Sequence, residues 1–517
     1  MKIEEMTLQQ KIGQLFVVGF PETEPGDAFF ELVDRYKVGN VILFSHNVEN
    51  KEQLAKLCGK LHEKIRKTTG VPPFISIDEE GGVVSRLPQG CAVMPSAMAQ
   101  ARTENRNLMY QGAKITAHEL KESGINFNLA PVLDINSNPE NPVIGVRSFG
   151  ENPETVTQCA KAVMRGYLDG GILCAGKHFP GHGDTSVDSH LSLPVVDLSR
   201  GELESRELVP FKALIKEGLP AVTMAHILVP ALEPEKIPCT MSRRVVRGFL
   251  RENLGFQGLI ISDCMEMNAI KEFYGTEAGT VAALAAGVDL IFISHTSSLA
   301  KSAILEVMRA LEDGRLSMER IDEAVSHVLA QKERLLTLSQ GEGEKPDAKA
   351  RIKFAGEFLE KTITPQNGNI SGAFCLGKNP VFVGPVPSRV TLASSSISDT
   401  FDFSHEMQKT FGGEAVCIPQ NPDDREIENV LLASRGKSAL VLATLNGHLS
   451  AGQRKLIEAV KKENIPKAFV ALRNPYDLEI SGEDYFGVVL YEYSLRTIGE
   501  LKKYFRKTQI KNTWDEQ

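Results

Sequence analysis

Between residues 15 and 295 the chain repeats one pattern: a short apolar run that stops at polar residues. The runs are 15–20; 41–44, followed by Ser45-His46-Asn47; 74–77, followed by Asp78-Glu79-Glu80-Gly81-Gly82; and 127–133, followed by Asp134. They continue as 171–176, followed by Lys177-His178; 221–224, with His226 just beyond; 259–261, followed by Ser262-Asp263; and 288–293, followed by Ser294-His295. Most gaps carry an amphipathic pattern, as at 53–67, 103–123, 155–168 and 203–217. Thr7-Leu8-Gln9-Gln10 fits a capping box that opens a first helix. Alternating strands and helices imply a parallel sheet. Eight such units predict an α/β fold of the (β/α)8, TIM-like type, whose functional groups stand at the C-terminal strand ends. Here those ends carry His46, Asp78, Asp134, Lys177, His178, His226, Asp263 and His295. One polar residue after a strand says little, but a series of this length exceeds ordinary loop composition.

The segment from Lys177 to His190 is the densest in chemistry, with one Lys, three His and two Asp among Gly and Pro. Gly and Pro disfavour a helix there, and a polar loop at a strand end is a place where a rigid scaffold displays reactive groups. Asp188-Ser189-His190 sets a carboxylate two positions from an imidazole, so in an extended loop Asp188 can orient His190 as an acid/base. Ser189 lacks the G-x-S-x-G elbow of a serine hydrolase. His178, His182, Asp184 and His190 match no zinc-binding spacing, so no metal is expected. Asp263 leaves two readings open: a carboxylate at the barrel mouth that attacks an anomeric carbon, or an N-cap of the next helix. Asp78 and Arg86 flank a Gly81-Gly82 pair and could grip hydroxyl groups, or form a surface ion pair of small effect. Arg147, in Arg147-Ser148-Phe149-Gly150, offers a second guanidinium. Neither a phosphate loop nor a dinucleotide fingerprint occurs, so no cofactor is expected.

A formal charge of −8 over 517 residues gives no sign of a nucleic-acid partner. No apolar run approaches the roughly 20 residues of a spanning helix, so no membrane partner is expected. The Met1-Lys2-Ile3-Glu4-Glu5 start has no signal-peptide pattern, and the eight Cys are scattered without a C-x-x-C pair. These features predict a cytoplasmic protein; oligomeric state is left open. Beyond the barrel, helical patterns at 318–335 and 348–361 flank a Gly-rich polar stretch, 339–346, read as a linker. Apolar runs at 373–376, 381–383, 439–443, 468–472 and 488–490 then alternate with helical patterns at 426–434, 451–463 and 494–505. The expected organisation is a catalytic barrel over 1–338, a linker and connecting helix over 339–361, and a smaller α/β sandwich domain over 362–517.

These residues closely resemble the bacterial, two-domain β-N-acetylglucosaminidases of glycoside hydrolase family 3. The resemblance rests on Lys177 through Thr185 with Asp188-Ser189-His190, on Asp78 through Arg86, on Arg147-Ser148-Phe149-Gly150, and on Ser262-Asp263 followed by Met267. It continues, less specifically, in Leu445-Asn446-Gly447-His448 and in Leu472 through Asp477. It implies a retaining double displacement with Asp263 as nucleophile and His190, paired with Asp188, as acid/base. It implies that Asp78, Arg86, Arg147, Lys177 and His178 bind the terminal N-acetylglucosamine, with Asp134 and His226 as further contacts. The implied substrates are cell-wall muropeptides or other β-linked N-acetylglucosaminides. The chain departs from the family's usual Asp-Gln-Glu-Gly-Gly-Arg-Val at Glu79 and Val83, which adds a negative charge and removes an Arg. A neutral imidazole as acid/base repels an anion less than a carboxylate does, which leaves phosphorolysis open beside hydrolysis. The rivals are a β-glucosidase or β-xylosidase of the same family and a non-catalytic sugar-binding sensor.

Overall fold

A computed structural model describes residues 2–185, 193–338, 346–367, 372–387 and 401–507. The chain divides into two units, one of residues 1–97 and 104–355, the other of 98–103 and 356–517. The division falls inside the helix Ala348–Thr362.

The first unit is a closed barrel of eight parallel strands. They are β1 (Phe16–Val18), β2 (Asn40–Leu43), β3 (Phe74–Ile77), β4 (Phe127–Asn128), β5 (Leu173–Phe179), β6 (Ala221–Met224), β7 (Leu259–Cys264) and β8 (Leu290–Ile293). Each pairs with the next, and β8 closes on β1 through Phe16↔Ile291 and Val18↔Ile293. Two strands outrun their apolar cores: β5 continues through Lys177 and His178, and β7 through Asp263 and Cys264. β4 is shorter than its apolar run, because Pro131 has no N–H to give a ladder. The chain beyond it still tracks β5, with Leu133 N–H donating to Lys177 O at 2.6 Å.

The helices form for local reasons. Lys51–Thr69 starts at Asn50, whose side chain accepts the Gln53 N–H, and buries Leu54, Leu57, Cys58, Leu61 and Ile65 on one stripe. Thr7 and Gln10 form the expected capping box. The pattern at 203–217 splits into helices Arg200–Ser205 and Leu208–Lys216. Pro210 is the cause, since Pro is tolerated only in a helix's first turn. At the bottom of the barrel wall, Asp289 is fully buried and pairs with Arg251 at 2.6 Å, Arg320 at 2.9 Å and His327 at 2.9 Å. Burial disfavours its charge, but the His327 bond and the two Arg outweigh that and hold its carboxyl below the usual range.

The second unit contains a sheet in the order β12-β11-β13-β14-β15-β9. Its strands are β9 (Pro365–Asn367), β11 (Val381–Pro385), β12 (Glu414–Ile418), β13 (Leu440–Thr444), β14 (Lys467–Ala471) and β15 (Phe486–Val489), with β9 antiparallel to β15. A separate parallel pair joins β10 (Phe374–Cys375) to β16 (Phe505–Arg506). The pattern at 494–505 resolves into helix Leu495–Leu501, a 3-10 turn Lys502–Tyr504, and the start of β16. Phe382, Phe403, Val441, Val470 and Val488 centre this unit's core. Residues 339–345 of the stretch read as a linker, 339–346, and residues 508–517 lie outside the described residues.

Candidate functional site

β3, β5 and the loop after β4 bring four charged side chains to the C-terminal end of the barrel. Lys177 Nζ lies 2.7 Å from Asp78 Oδ1 and 2.6 Å from Glu80 Oε1. Arg147 meets Glu80 with a two-point contact, Nε to Oε2 and Nη2 to Oε1, both at 2.8 Å. Two cations and two anions balance, so the cluster presents polarity without net charge. Glu80, Arg147 and Lys177 have side chains at most 4% exposed, whereas Asp78 is 21% exposed and faces outward most. Burial opposes the charges of Glu80, Arg147 and Lys177, yet Arg147 and Lys177 hold Glu80 well below the carboxylate range. Glu80 and Asp78 in turn hold Lys177 above the ordinary lysine value.

Asp134 and His178 form a second group beside this one. His178 Nδ1 is 2.6 Å from Asp134 Oδ2, and the His182 backbone N–H donates to Asp134 Oδ1 at 2.7 Å. Asp134 is fully buried and fixes the orientation of the His178 ring. His182 is also buried; desolvation, with the neighbouring His178, pushes its imidazole down to about 4, leaving it neutral. Its Nδ1 sits 2.8 Å from Thr185 Oγ1, while Asn141 donates to the His182 and Gly183 carbonyls. Gly183 permits this packing, because a Cβ there would collide with the Ile135 carbonyl.

Asp263 stands near the end of β7, half-buried, its Oδ1 accepting the Cys264 N–H at 2.7 Å. β7 and β5 are parallel strands of one closed barrel, so Asp263 stands at the same end of it as His178. The capping alternative does not describe it: helix Asn268–Lys271 begins after Met267. His226 lies under the same strand end, fully buried, with Nδ1 2.8 Å from Thr240 Oγ1 and Nε2 3.0 Å from the Cys264 carbonyl. His46 and His295 flank Phe44, with ring centroids at 5.6 and 4.8 Å. Asp188 and His190 lie outside the described residues.

The Asp78–Arg86 stretch differs from expectation. Glu79 turns away from the Lys177 cluster: its Oε2 accepts Ser85 Oγ at 2.9 Å, Arg86 N–H at 2.7 Å and Leu87 N–H at 3.2 Å. Complete burial raises its carboxyl to about 7 in spite of those bonds. Glu79 therefore anchors the segment that carries Arg86 instead of joining the Lys177 cluster. Gly81 and Gly82 have φ of +90° and +55°, and a Cβ on Gly82 would strike Ser96. The two glycines therefore serve the fold of the loop itself. Glu80 is the site residue that motif reading passed over. The alternation of side chains along an extended segment was the available signal, because it sets 78 and 80 on one face and 79 on the other.

Residues 7–331 match the model of the glycosyl hydrolase family 3 N terminal domain. The chain is 36% identical over 327 residues to β-hexosaminidase A of Pseudoalteromonas piscicida, covering 59% of this chain and 55% of that protein. It is 35% identical over 276 residues to a β-hexosaminidase of Thiobacillus denitrificans, covering 52% of this chain and 75% of that one. Among solved structures, a family 3 β-N-acetylglucosaminidase of Paenibacillus sp. strain FPU-7 superposes with a TM-score of 0.87 at 36% identity, covering 96% of both chains. With more than half its length matched by the family's own domain and the whole fold shared with a solved family 3 structure, the chain belongs to glycosyl hydrolase family 3.

Proposed function

We propose that this chain is a retaining exo-β-N-acetylglucosaminidase that removes terminal N-acetylglucosamine from cell-wall muropeptides or related β-linked glycosides. The observation that carries the reading is the gathering of Asp78, Glu80, Arg147, Lys177 and His178 at one end of the barrel, with Asp263 on the same rim. Neutral overall but locally polar, such a cluster suits hydroxyl and amide groups of an uncharged sugar. The likeness to the Paenibacillus β-N-acetylglucosaminidase over 96% of both chains supports the choice of sugar.

In this mechanism Asp263 attacks the anomeric carbon while His190, oriented by Asp188, protonates the departing oxygen. Asp263 becomes esterified to the sugar, and the now neutral His190 takes a proton from water, which displaces the Asp263 carboxylate. Arg86, Arg147, Lys177 and Asp78 hold the sugar, and Asp134 and His226 support the site from beneath. We place the reaction in the cytoplasm, in keeping with eight free cysteines.

Side-by-side turnover of aryl β-N-acetylglucosaminide and aryl β-glucoside tests the substrate: clear preference for the first supports the reading, and preference for the second overturns it. Cleavage of neither would favour a sugar-binding sensor. Product analysis in phosphate buffer separates hydrolysis from phosphorolysis, since only the latter yields sugar 1-phosphate.

A further inference from the structure

In the second unit, Asp402, His405 and Cys417 come together from two adjoining elements. Asp402 is the N-cap of helix Phe403–Phe411, its Oδ1 accepting the His405 N–H at 2.9 Å. Its Oδ2 lies 2.7 Å from His405 Nδ1, and Cys417 Sγ, on β12, lies 3.7 Å from that same nitrogen. One donor atom from each residue falls within 4.8 Å of the other two. The framework is fixed on both sides. The Phe403 N–H donates to the Tyr493 hydroxyl at 2.9 Å, which itself donates to the Pro385 carbonyl at 3.0 Å. β12 is bonded in register to β11 along its whole length.

A Cys-His-Asp trio also suggests a nucleophilic relay, but a relay sets its two partners on opposite ring nitrogens. Here carboxylate and thiol both face Nδ1, so the three groups converge on a point. Bond lengths of a tetrahedral zinc site imply edges of about 3.5 Å from nitrogen to sulfur and about 3.4 Å from oxygen to nitrogen. The observed 3.7 Å is close to the first, whereas 2.7 Å is a hydrogen-bond distance that a turn of the Asp402 side chain lengthens toward the second. His405 and Cys417 are both exposed, and Cys417 is the one exposed thiol of the eight. A thiolate, an imidazole and one carboxylate select Zn²⁺ and its thiophilic relatives over Mg²⁺ or Ca²⁺.

We propose that Asp402, His405 and Cys417 form a binding site for Zn²⁺ or a similar thiophilic divalent cation, with an external ligand such as water in the fourth position. Binding releases the Cys417 thiol proton to solvent and leaves the His405 ring protonated on Nε2, so that Nδ1 faces the ion. The ion ties the edge strand β12 to the start of helix Phe403–Phe411. The full-length chain, stripped with EDTA, is titrated with Co²⁺ as the probe. Equimolar growth of a thiolate-to-cobalt charge-transfer band with tetrahedral d–d bands is expected. Cys417→Ser removes the charge-transfer band, and His405→Ala weakens binding at least about tenfold, with turnover and circular dichroism of both variants unchanged. Independently of any variant, Zn²⁺ should slow iodoacetamide labelling of Cys417, read by peptide mass, by about tenfold or more. A charge-transfer band that survives in Cys417→Ser, or Cys417 labelling that Zn²⁺ leaves unchanged, would overturn the proposal.

Discussion

Glu80 joins Arg147 through two parallel contacts of 2.8 Å, and both side chains are almost wholly withdrawn from solvent. The pair, with Lys177 on the same carboxylate, fixes the floor of the candidate sugar site. A buried ion network of this kind is costly to break from one side, because the remaining charges lose their partner. Glu80→Gln is therefore expected to destabilise the fold by about 3–5 kcal/mol. Urea unfolding of the variant measures this, and a loss below about 1 kcal/mol would show that Arg147 and Lys177 find other partners or solvent.

Glu79 gives a prediction with a definite sign. Its carboxyl holds a proton up to about 7 in the folded chain, against an ordinary value of 4.5. Across that window the folded state keeps a proton that the unfolded state has released, so stability falls as pH rises through it. Glu79→Gln keeps an acceptor for the Ser85, Arg86 and Leu87 donors and cannot titrate. Glu207 is another buried carboxyl raised to about 7, so the informative quantity is the difference between wild type and variant. Wild type should lose on the order of 3 kcal/mol relative to Glu79→Gln between pH 4.5 and 7. Parallel stability profiles would contradict the assignment.

Asp134 acts through His178. Asp134→Asn removes the charge that fixes the imidazole and one of the acceptors that hold the His178 and His182 backbone. A hydrogen bond to a charged group contributes about 1.5–3 kcal/mol. KM for an aryl N-acetylglucosaminide should accordingly rise about tenfold or more, with kcat changed less. An equal fall in kcat at constant KM would place Asp134 in the chemical step instead.

His190 is assigned from its sequence context, and its test is kinetic. His190→Ala should slow glycosides with poor leaving groups by about 100-fold or more while sparing those with good ones. An equal loss on both would reduce His190 to a structural role.

How much was legible beforehand varies by element. All eight barrel strands could be read from apolar runs, because a parallel strand buried on both faces is a continuous apolar word. Their ends could not. Lys177, His178 and Asp263 lie within β5 and β7, where the neighbouring strands still satisfy the backbone: Phe179 pairs with Met224, and Cys264 with Phe292. An apolar criterion stops at the first charge, even when that charge stands at the barrel mouth. β12 escaped the same criterion, since four of its five residues are not buried. The site's charged residues were recognisable by type and place, but their division of labour was not. Asp78 and Glu80 face Lys177 while Glu79 serves a loop, and Asp134 supports His178; these are tertiary relations that a linear motif does not encode.

In the proposed mechanism Asp263 carries the sugar between the two steps. The direct measurement is to trap the intermediate with a fluorinated N-acetylglucosaminyl fluoride and map the adduct by peptide mass spectrometry. One sugar per chain is expected, on the peptide bearing Asp263, with none formed by Asp263→Ala at full structural integrity. An adduct on another carboxylate, or turnover by Asp263→Ala at the wild-type rate, would contradict it.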